Sequence, residues 1–389
     1  MFVHDRRLQH LLRPIHYHDP AHYRREVDAL FRPSWQFVCT HTEIGRPGDF
    51  QTMDLFDVPI LIRNFDGKVR GFENICPHRH SMLTCQAAGN SPVLKCQYHG
   101  WHFREDGRTG KIPEPKAFRP WDRENAHLNP IRVERCGDLW FATLDPHAVS
   151  LREFLDPFFD RIASGFNAQE WQMKEAWEFD VPCNWKVVIE NTLESYHVAE
   201  VHPTWMGGQL PAEEQSEHEL SERYTKLTFR NFPDAKELAV TACRHLGGQP
   251  IEGYWHWHVH PNLVFVFTDT FNYFATTLPT GPTTGRLRTR MYPLWPATRN
   301  PWKCLVRRIS FRTGRKLMKA IFNEDRSVFP GQQRGITRSR HRGVIGVREE
   351  RIFQFQKYVC QKTGIPPEAH PADADPVDTP AVREAETSA

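Results

Sequence analysis

The chain has 389 residues, of which 39% are hydrophobic and 12% aromatic, and its formal net charge is +3. That length allows two domains with substantial cores, and so small a net charge excludes nucleic acid as an expected partner. No apolar run approaches a membrane span, and the N-terminus lacks the apolar core of a signal peptide. We therefore expect a globular protein of the cytoplasm that binds no membrane. The nine cysteines show no framework spacing, which favours reduced thiols over disulfides.

The first part of the chain predicts an N-terminal helical segment, 1–35, and an antiparallel β domain, 36–145. Apolar residues recur at helical spacing over 20–31. Two apolar runs then flank Asp66-Gly67, the turn signal of a two-residue hairpin. The remaining elements of this part are expected to be short strands, with the ligand residues described next at hairpin tips.

Two pairs of metal-binding residues lie in this β domain. Cys76 and His78 are spaced as C-x-H, and Cys96 and His99 as C-x-x-H. Two cysteines and two histidines can hold a [2Fe-2S] cluster with the thiolates on one iron and the imidazoles on the other, which is the Rieske arrangement. The alternative is a tetrahedral zinc site. Zinc fingers group two cysteines and then two histidines, whereas each half here has one of each, so the spacing favours the cluster.

A second group of candidate ligands follows in the segment 184–203, whose composition is helical up to a terminal proline. It contains His197 and His202, and its spacing is not the H-E-x-x-H of a zinc protease. Two histidines with one remote carboxylate form the facial triad of non-haem iron(II) oxygenases. Such a carboxylate is available at Glu324-Asp325, on a predicted helix. Taken alone, this His pair and distant acid are weak evidence for a metal.

A predicted strand further along offers a rival metal site, because alternation places its three histidines on one face. These are His256, His258 and His260. More often such residues form hydrogen bonds across a sheet, and we expect no metal here. The strand is a candidate wall of the substrate pocket, and its Trp255 and Trp257 face either that pocket or the core.

The later part of the chain carries a basic run and a polar tail. The basic residues are Lys303, Arg307, Arg308, Arg312, Arg315, Lys316 and Lys319. They form either a solvated helix face or a docking surface for an acidic electron donor. The last stretch, 370–389, is acidic and rich in proline, and we expect it to be disordered. The sequence contains neither G-x-G-x-x-G nor a P-loop motif, so electrons must come from another protein.

The two ligand motifs in this order resemble the large (alpha) oxygenase component of the Rieske non-haem iron oxygenases. This family includes the aromatic-ring-hydroxylating dioxygenases and choline monooxygenase. The resemblance runs from about Tyr23 to Tyr358 and rests on the two Cys/His motifs and on the run from Asn191 to Pro203. It implies an α+β fold in which an antiparallel β Rieske domain precedes a catalytic domain, 146–369, of the helix-grip (START-like) type. In that type helices cover a curved antiparallel sheet.

The resemblance also implies roles for individual residues. His197, His202 and Asp325 would bind a mononuclear Fe(II), and Tyr196 would support these ligands. Glu194 would be the acid that links one subunit's mononuclear iron to the Rieske histidine of the next subunit in a homotrimeric ring. Two departures stand out: His80 occupies a position where the family often has a small residue, and Glu194 replaces the aspartate usual in ring dioxygenases.

The function that the resemblance implies is O2-dependent hydroxylation of a small organic substrate, with electrons from an NAD(P)H-dependent flavin reductase and in some members a ferredoxin. The glutamate at the bridging position favours a quaternary-ammonium substrate, which aromatic side chains bind through cation–π contacts. The alternative within the enzymes is a ring-hydroxylating dioxygenase of aromatic carboxylates. A more remote alternative is a non-catalytic Rieske electron-transfer homologue, which would not need the second iron site.

Overall fold

The computed structural model describes residues 1–122, 124–167, 175–204, 213–229, 240–241, 243–251, 253–293 and 300–366. Two seven-stranded antiparallel sheets dominate these ranges, one on each side of residue 150. None of the helices in the described ranges is both long and apolar enough to cross a bilayer. The expected disordered tail, 370–389, lies outside the described residues.

The N-terminal part of the chain forms the first sheet and two small hairpins. Its strands are β1 (Leu8–Gln9), β2 (Gln36–Thr40), β3 (Asp49–Leu55), β4 (Val58–Phe65), β5 (Lys68–Glu73), β6 (Ala88–Asn90), β7 (Leu94–Lys95), β8 (His102–Phe103), β9 (Pro130–Cys136) and β10 (Leu139–Thr143). The sheet order is β2-β10-β9-β5-β4-β3-β6, and β7 pairs only with β8. The predicted hairpin is present: Phe65 pairs with Lys68 across Asp66 and Gly67, which both have positive φ.

The second sheet is longer and more strongly buried. Its strands are β11 (Glu175–Val181), β12 (Ser216–Leu220), β13 (Tyr224–Phe229), β14 (Tyr254–Val259), β15 (Leu263–Phe267), β16 (Phe271–Gly281) and β17 (Thr284–Pro293). The order is β11-β17-β16-β15-β14-β13-β12, antiparallel throughout. A last short strand, β18 (Val344–Ile345), pairs with β1 and ties the N-terminus to the C-terminal part.

Helices cover the second sheet. They are α1 (Pro20–Glu26), which continues into a π-helical turn (Val27–Phe31), α2 (Leu151–Phe154), α3 (Phe159–Gly165), α4 (Trp185–Thr192), α5 (Val198–Val201), α6 (Pro301–Arg338) and α7 (Glu350–Thr363). Five short 3-10 turns complete the described elements: Pro14–Tyr17, His41–Ile44, Pro115–Phe118, Glu213–Gln215 and Val347–Glu349. The α+β fold predicted from the sequence, with a curved antiparallel sheet under covering helices, is confirmed.

The two sheets share a hydrophobic core. Phe37 and Phe141 of the first sheet pack with Phe274 of the second, with ring centroids 4.9 to 6.2 Å apart. Arg288 of β17 donates to the carbonyl oxygens of Phe37 and Val38 at 2.9 and 3.1 Å. Aromatic packing and charge-assisted hydrogen bonds both join the two sheets, and together they fix the first sheet against the second. The boundary expected near residue 145 stays a prediction.

The predicted helix over 184–203 is interrupted. α4 ends at Thr192 and α5 begins at Val198, so His197 lies just before a second, short helix. The carboxylate of Glu194 accepts hydrogen bonds from the backbone N–H groups of Tyr196 and His197. In a continuous helix these N–H groups would donate to carbonyl groups four residues earlier, so the Glu194 side chain interrupts the helix after α4.

The strand β14 is a core strand. Trp257 packs against Phe158 and Phe267 in the core shared by the two sheets, and Trp255 stacks on Trp257. Neither tryptophan lines the cavity beside Asp325, so of the two alternatives left by the sequence, pocket or core, the structure shows the core position. Strand alternation gives two faces but does not say which one lies towards a ligand.

His256 and His258 of β14, and His260 directly after the strand, face α7 and are almost fully buried. Burial lowers the pKa of His256 and His258 well below the ordinary value and that of His260 to about 3. The guanidinium of Arg351 donates to His256 Nδ1 at 2.8 Å. These rings are therefore neutral, and one of them serves as the acceptor for a buried arginine.

Candidate metal centres

The four predicted cluster ligands come together at the tips of two loops. Cys76 and Cys96 are 2% and 1% exposed, and the rings of His78 and His99 have centroids 4.7 Å apart. The hairpin β7–β8 carries the second pair, and a bridge between Ile75 and Met82 closes the loop of the first pair. The sequence expectation that both pairs lie at hairpin tips agrees with this geometry.

The two loops have the same backbone turn. His80 N–H donates to Cys76 O, and Gly100 N–H donates to Cys96 O, each four residues along. Both His80 and Gly100 have positive φ, at 58° and 71°. Glycine adopts this conformation freely, whereas histidine is one of the few side chains that tolerate it. At position 80 a histidine therefore occupies a backbone conformation that glycine would adopt without strain.

The electrostatics around the sulfur atoms suit a metal centre. Burial raises the pKa of the Cys76 thiol to about 11, while the backbone N–H groups of His78 and Arg79 donate to the sulfur and oppose that rise. Burial and the neighbouring His99 lower the pKa of His78, so its ring is neutral. The buried Nδ1 of His78 has no hydrogen-bond partner among the described residues. Thiols that need a cation to ionise, beside an unpaired imidazole nitrogen, fit the ligand set of a Rieske cluster.

The second predicted group also converges. Ligand atoms of His197, His202 and Asp325 lie within 4.8 Å of one another. Asp325 Oδ1 is 3.1 Å from Nε2 of His202 and 3.6 Å from Nε2 of His197. This buried oxygen has no well-aligned hydrogen bond to any described residue. Two imidazole nitrogens and an unpaired carboxylate oxygen that point at one position fit a facial triad for a divalent iron.

A carboxylate lies behind each imidazole. Oε1 of Glu194 forms a hydrogen bond with Nδ1 of His197. Oε2 of Glu194 accepts hydrogen bonds from the two backbone N–H groups already described. The Glu194 side chain is 9% exposed. The phenol of Tyr196 is 62% exposed and contacts neither histidine, so the support predicted for it comes only from its backbone N–H.

The sequence analysis missed the second of these carboxylates. Glu324 Oε2 is 2.8 Å from Nδ1 of His202, whose side chain is only 3% exposed. An Nδ1–H that donates to a carboxylate leaves Nε2 free to bind a metal, which is the usual arrangement of metal-binding histidines. The signal in the sequence was the pair of consecutive acids, of which only Asp325 was assigned.

The pKa of His202 reflects both acids. Burial alone would lower it, but the carboxylates of Asp325 and Glu324 outweigh burial and raise the pKa above the ordinary value of histidine. Two negative groups around one buried ring form a site of excess negative charge. A bound divalent cation would neutralise that charge.

A cavity adjoins Asp325 between α4, α6 and the sheet. Its wall includes Asn191 of α4, Tyr273 of β16, and Phe322 and Arg326 of α6. The rings of Tyr273 and Phe322 meet at 86° with centroids 6.0 Å apart. The space open to a water-sized molecule is about 30 Å³. That volume holds about one water molecule, so a substrate must shift side chains of the wall to enter.

Comparisons with known proteins agree with this architecture. Residues 34–126 match the family described as Rieske [2Fe-2S] domain, and residues 168–364 match the Ring hydroxylating alpha subunit (catalytic domain). The two cofactors expected from the sequence, a [2Fe-2S] cluster and a mononuclear iron, are those of the matched domains.

Individual relatives point the same way. The carnitine monooxygenase oxygenase subunit of Acinetobacter pittii is 30% identical over 183 residues, which are 46% of this chain and 49% of that protein. The glycine betaine monooxygenase oxygenase subunit of Chromohalobacter salexigens is 29% identical over 229 residues, or 58% and 51% of the two chains. The chain thus spans about half the length of the curated relatives it matches.

A solved quaternary ammonium Rieske monooxygenase in complex with L-carnitine has a TM-score of 0.72 at 22% identity, covering 90% of this chain and 95% of that one. At such low identity the likeness shows the fold alone. The catalytic-domain match, in contrast, covers just over half of the sequence and includes every iron-site residue discussed above. The resemblance predicted from the two motifs is therefore confirmed, and the chain belongs to the family of ring-hydroxylating alpha subunits with an N-terminal Rieske domain.

Proposed function

We propose that this chain is the oxygenase component of a multicomponent Rieske non-haem iron oxygenase that hydroxylates a small quaternary-ammonium compound. The observation that carries the proposal is the convergence of His197, His202 and Asp325 beside a cavity, in a chain that also holds the two Cys/His loops. A Rieske electron carrier or a non-catalytic homologue has no use for that second site. The names of the carnitine and glycine betaine relatives support the substrate class.

In this proposal Cys76, His78, Cys96 and His99 hold the cluster, and His197, His202 and Asp325 hold the iron. When bound, the cluster supplies single electrons and the iron activates O2 at its open coordination positions. The protein's own part is positional. Glu194 and Glu324 fix the two imidazole rings, and the buried wall of the cavity keeps water away from the reacting carbon.

Glu194 is proposed to have a second role between subunits. Each of its oxygens can accept more than one hydrogen bond, and its exposed 9% is the part that an imidazole of a neighbouring subunit would reach. A homotrimeric ring would bring His99 of one subunit to that point on the next. The exposed Tyr196 beside it would then be covered by the neighbour.

The proposed electron donor is an NAD(P)H-dependent flavin reductase, directly or through a ferredoxin, and the proposed compartment is the cytoplasm, where such nucleotides are available. The stretch 301–323 of α6 carries seven basic residues and no acidic one. Several of its bases, including Arg308, Arg312 and Lys316, are exposed. Such a face attracts an acidic partner, so coupling to the reductase should weaken as ionic strength rises.

The test is oxygen uptake and product analysis with a surrogate reductase across carnitine, glycine betaine, choline and benzoate-type acids. The purified protein should contain three irons and two acid-labile sulfides per chain, because one cluster and one mononuclear site are proposed. Stoichiometric zinc without sulfide would contradict the proposal. A chain with full iron that oxidises only benzoate-type acids would replace the quaternary-ammonium function by the second candidate, an aromatic carboxylate dioxygenase. That candidate calls for an arginine in the pocket, and Arg326 of the cavity wall could serve it.

A further inference from the structure

The cavity beside Asp325 has a cationic group in its wall. Arg326 follows Asp325 on α6 and is partly buried. Its guanidinium carbon lies 4.3 Å from the ring centroid of Phe179 on β11. Among the described residues, no carboxylate forms an ion pair with it. Oδ1 of the neighbouring Asp325 lies 3.6 and 3.1 Å from Nε2 of His197 and His202, towards the candidate metal position.

The described residues around Arg326 hold its guanidinium through an aromatic contact, and none of them accepts a hydrogen bond from it. A guanidinium stacked on an aromatic ring keeps its N–H groups free at the edge of its plane. Arg315, three turns earlier on α6, shows the alternative, because it pairs with Glu175 of the same strand at 2.5 Å. Where β11 faces Arg326, it supplies an aromatic ring instead of an acid. A partly desolvated guanidinium with unused donors is a binding group for a planar anion.

We propose that Arg326 binds a carboxylate of the substrate, so that the substrate is an organic acid. This rests on the proposed function and narrows it. A betaine-type zwitterion would place its carboxylate on Arg326 and its trimethylammonium group against the rings of Tyr273 and Phe322. An aromatic carboxylate would use the same guanidinium and lay its ring in the same corner. The shared chemistry is the carboxylate, and choline lacks it.

The experiment measures equilibrium binding to the oxidised holoenzyme by calorimetry, without turnover. Two matched pairs of probes isolate the contribution of the substrate carboxylate. Glycine betaine is compared with choline, and benzoate with benzyl alcohol, because the second compound of each pair has a hydroxyl group in place of the carboxylate. The variants are Arg326→Gln, which removes the positive charge, and Arg326→Lys, which keeps the charge but loses the planar guanidinium with its paired N–H donors. Arg334→Gln is the control, because it makes the same charge change at an exposed position of α6 outside the basic stretch 301–323.

We expect Arg326→Gln to weaken binding of the acid that the wild type prefers by about tenfold or more, and Arg326→Lys to weaken it less. Binding of choline and benzyl alcohol should change less than about twofold, and Arg334→Gln should leave the binding of all four probes unchanged. An unaltered cluster spectrum together with an unaltered mononuclear iron content shows that each variant keeps both domains folded.

The outcomes separate this inference from the proposed function. If Arg326→Gln binds the preferred acid as the wild type does, or if the wild type binds and oxidises choline as well as glycine betaine, the inference is overturned while the quaternary-ammonium function stands. If the wild type binds benzoate but no betaine, and Arg326→Gln loses that binding, the carboxylate inference stands and the quaternary-ammonium function falls.

Discussion

Replacing Glu324 by alanine should release mononuclear iron without disturbing the cluster. The carboxylate bonds to Nδ1 of the buried His202 at 2.8 Å, and a hydrogen bond to a charged group contributes about 1.5–3 kcal/mol. The Glu324 side chain is 30% exposed, so water replaces part of the lost interaction and the lower end of this range applies. We expect Fe(II) to bind about tenfold more weakly, which is the lower limit for loss of such a partner.

The assay is anaerobic titration of the mononuclear site with Fe(II) or Co(II), with the cluster absorbance as an internal reference. Glu324→Gln retains an acceptor oxygen and should weaken binding by less than the alanine variant. Asn323→Ala, at the adjacent exposed position of α6, is the control for effects on the helix. If Glu324→Ala bound metal with wild-type affinity, the argument that this acid orients His202 would be refuted.

Three further predictions follow from the same geometry. Cys96→Ser should abolish the cluster spectrum, whereas His202→Ala should keep it and lose mononuclear iron; equal loss in both would contradict two separate sites. Glu194→Gln should retain the oligomer, the cluster and the iron but form little product, and wild-type reoxidation of its reduced cluster under O2 would rule out the bridge. Burial raises the pKa of Glu190 from 4.5 to about 7, so stability present below pH 4.5 is lost as pH rises through 7. Because glutamine can still accept from Tyr17, Glu190→Gln should raise the free energy of unfolding at pH 8 by up to about 3 kcal/mol and at pH 5 by less than about 1 kcal/mol, measured by denaturant titration.

Local signals in the sequence predicted the β domain well. The hairpin at Asp66-Gly67 needs only two neighbouring apolar runs and a turn that favours positive φ, and all three are contiguous in the chain. The cluster loops were predictable for the same reason, since each Cys/His pair is spaced within four residues. Neither motif specifies that the two ligand loops lie side by side. That arrangement follows from the hairpins that carry the loops.

The features that the sequence did not predict depend on contacts between distant segments. The break between α4 and α5 arises because the Glu194 carboxylate accepts hydrogen bonds from the backbone N–H groups of Tyr196 and His197. The composition of this stretch predicts that both groups belong to a helix. Trp257 packs against Phe158 and Trp255 lies under Arg161, so the face that these tryptophans occupy depends on a segment almost 100 residues earlier in the chain. Neither the periodicity of a strand nor helix propensity contains that information.

The part of the candidate site that depends most on tertiary structure is on α6, where three consecutive side chains point in different directions. Successive residues of a helix point about 100° apart. Glu324 therefore meets Nδ1 of His202, Asp325 faces Nε2 of the same ring, and Arg326 turns into the cavity wall. This arrangement requires α6 to keep one rotation about its axis. Gln333, about two turns further on and buried, accepts from the backbone N–H of Asn184 at the start of α4 at 2.7 Å and so fixes that rotation against the helix that leads to the histidines.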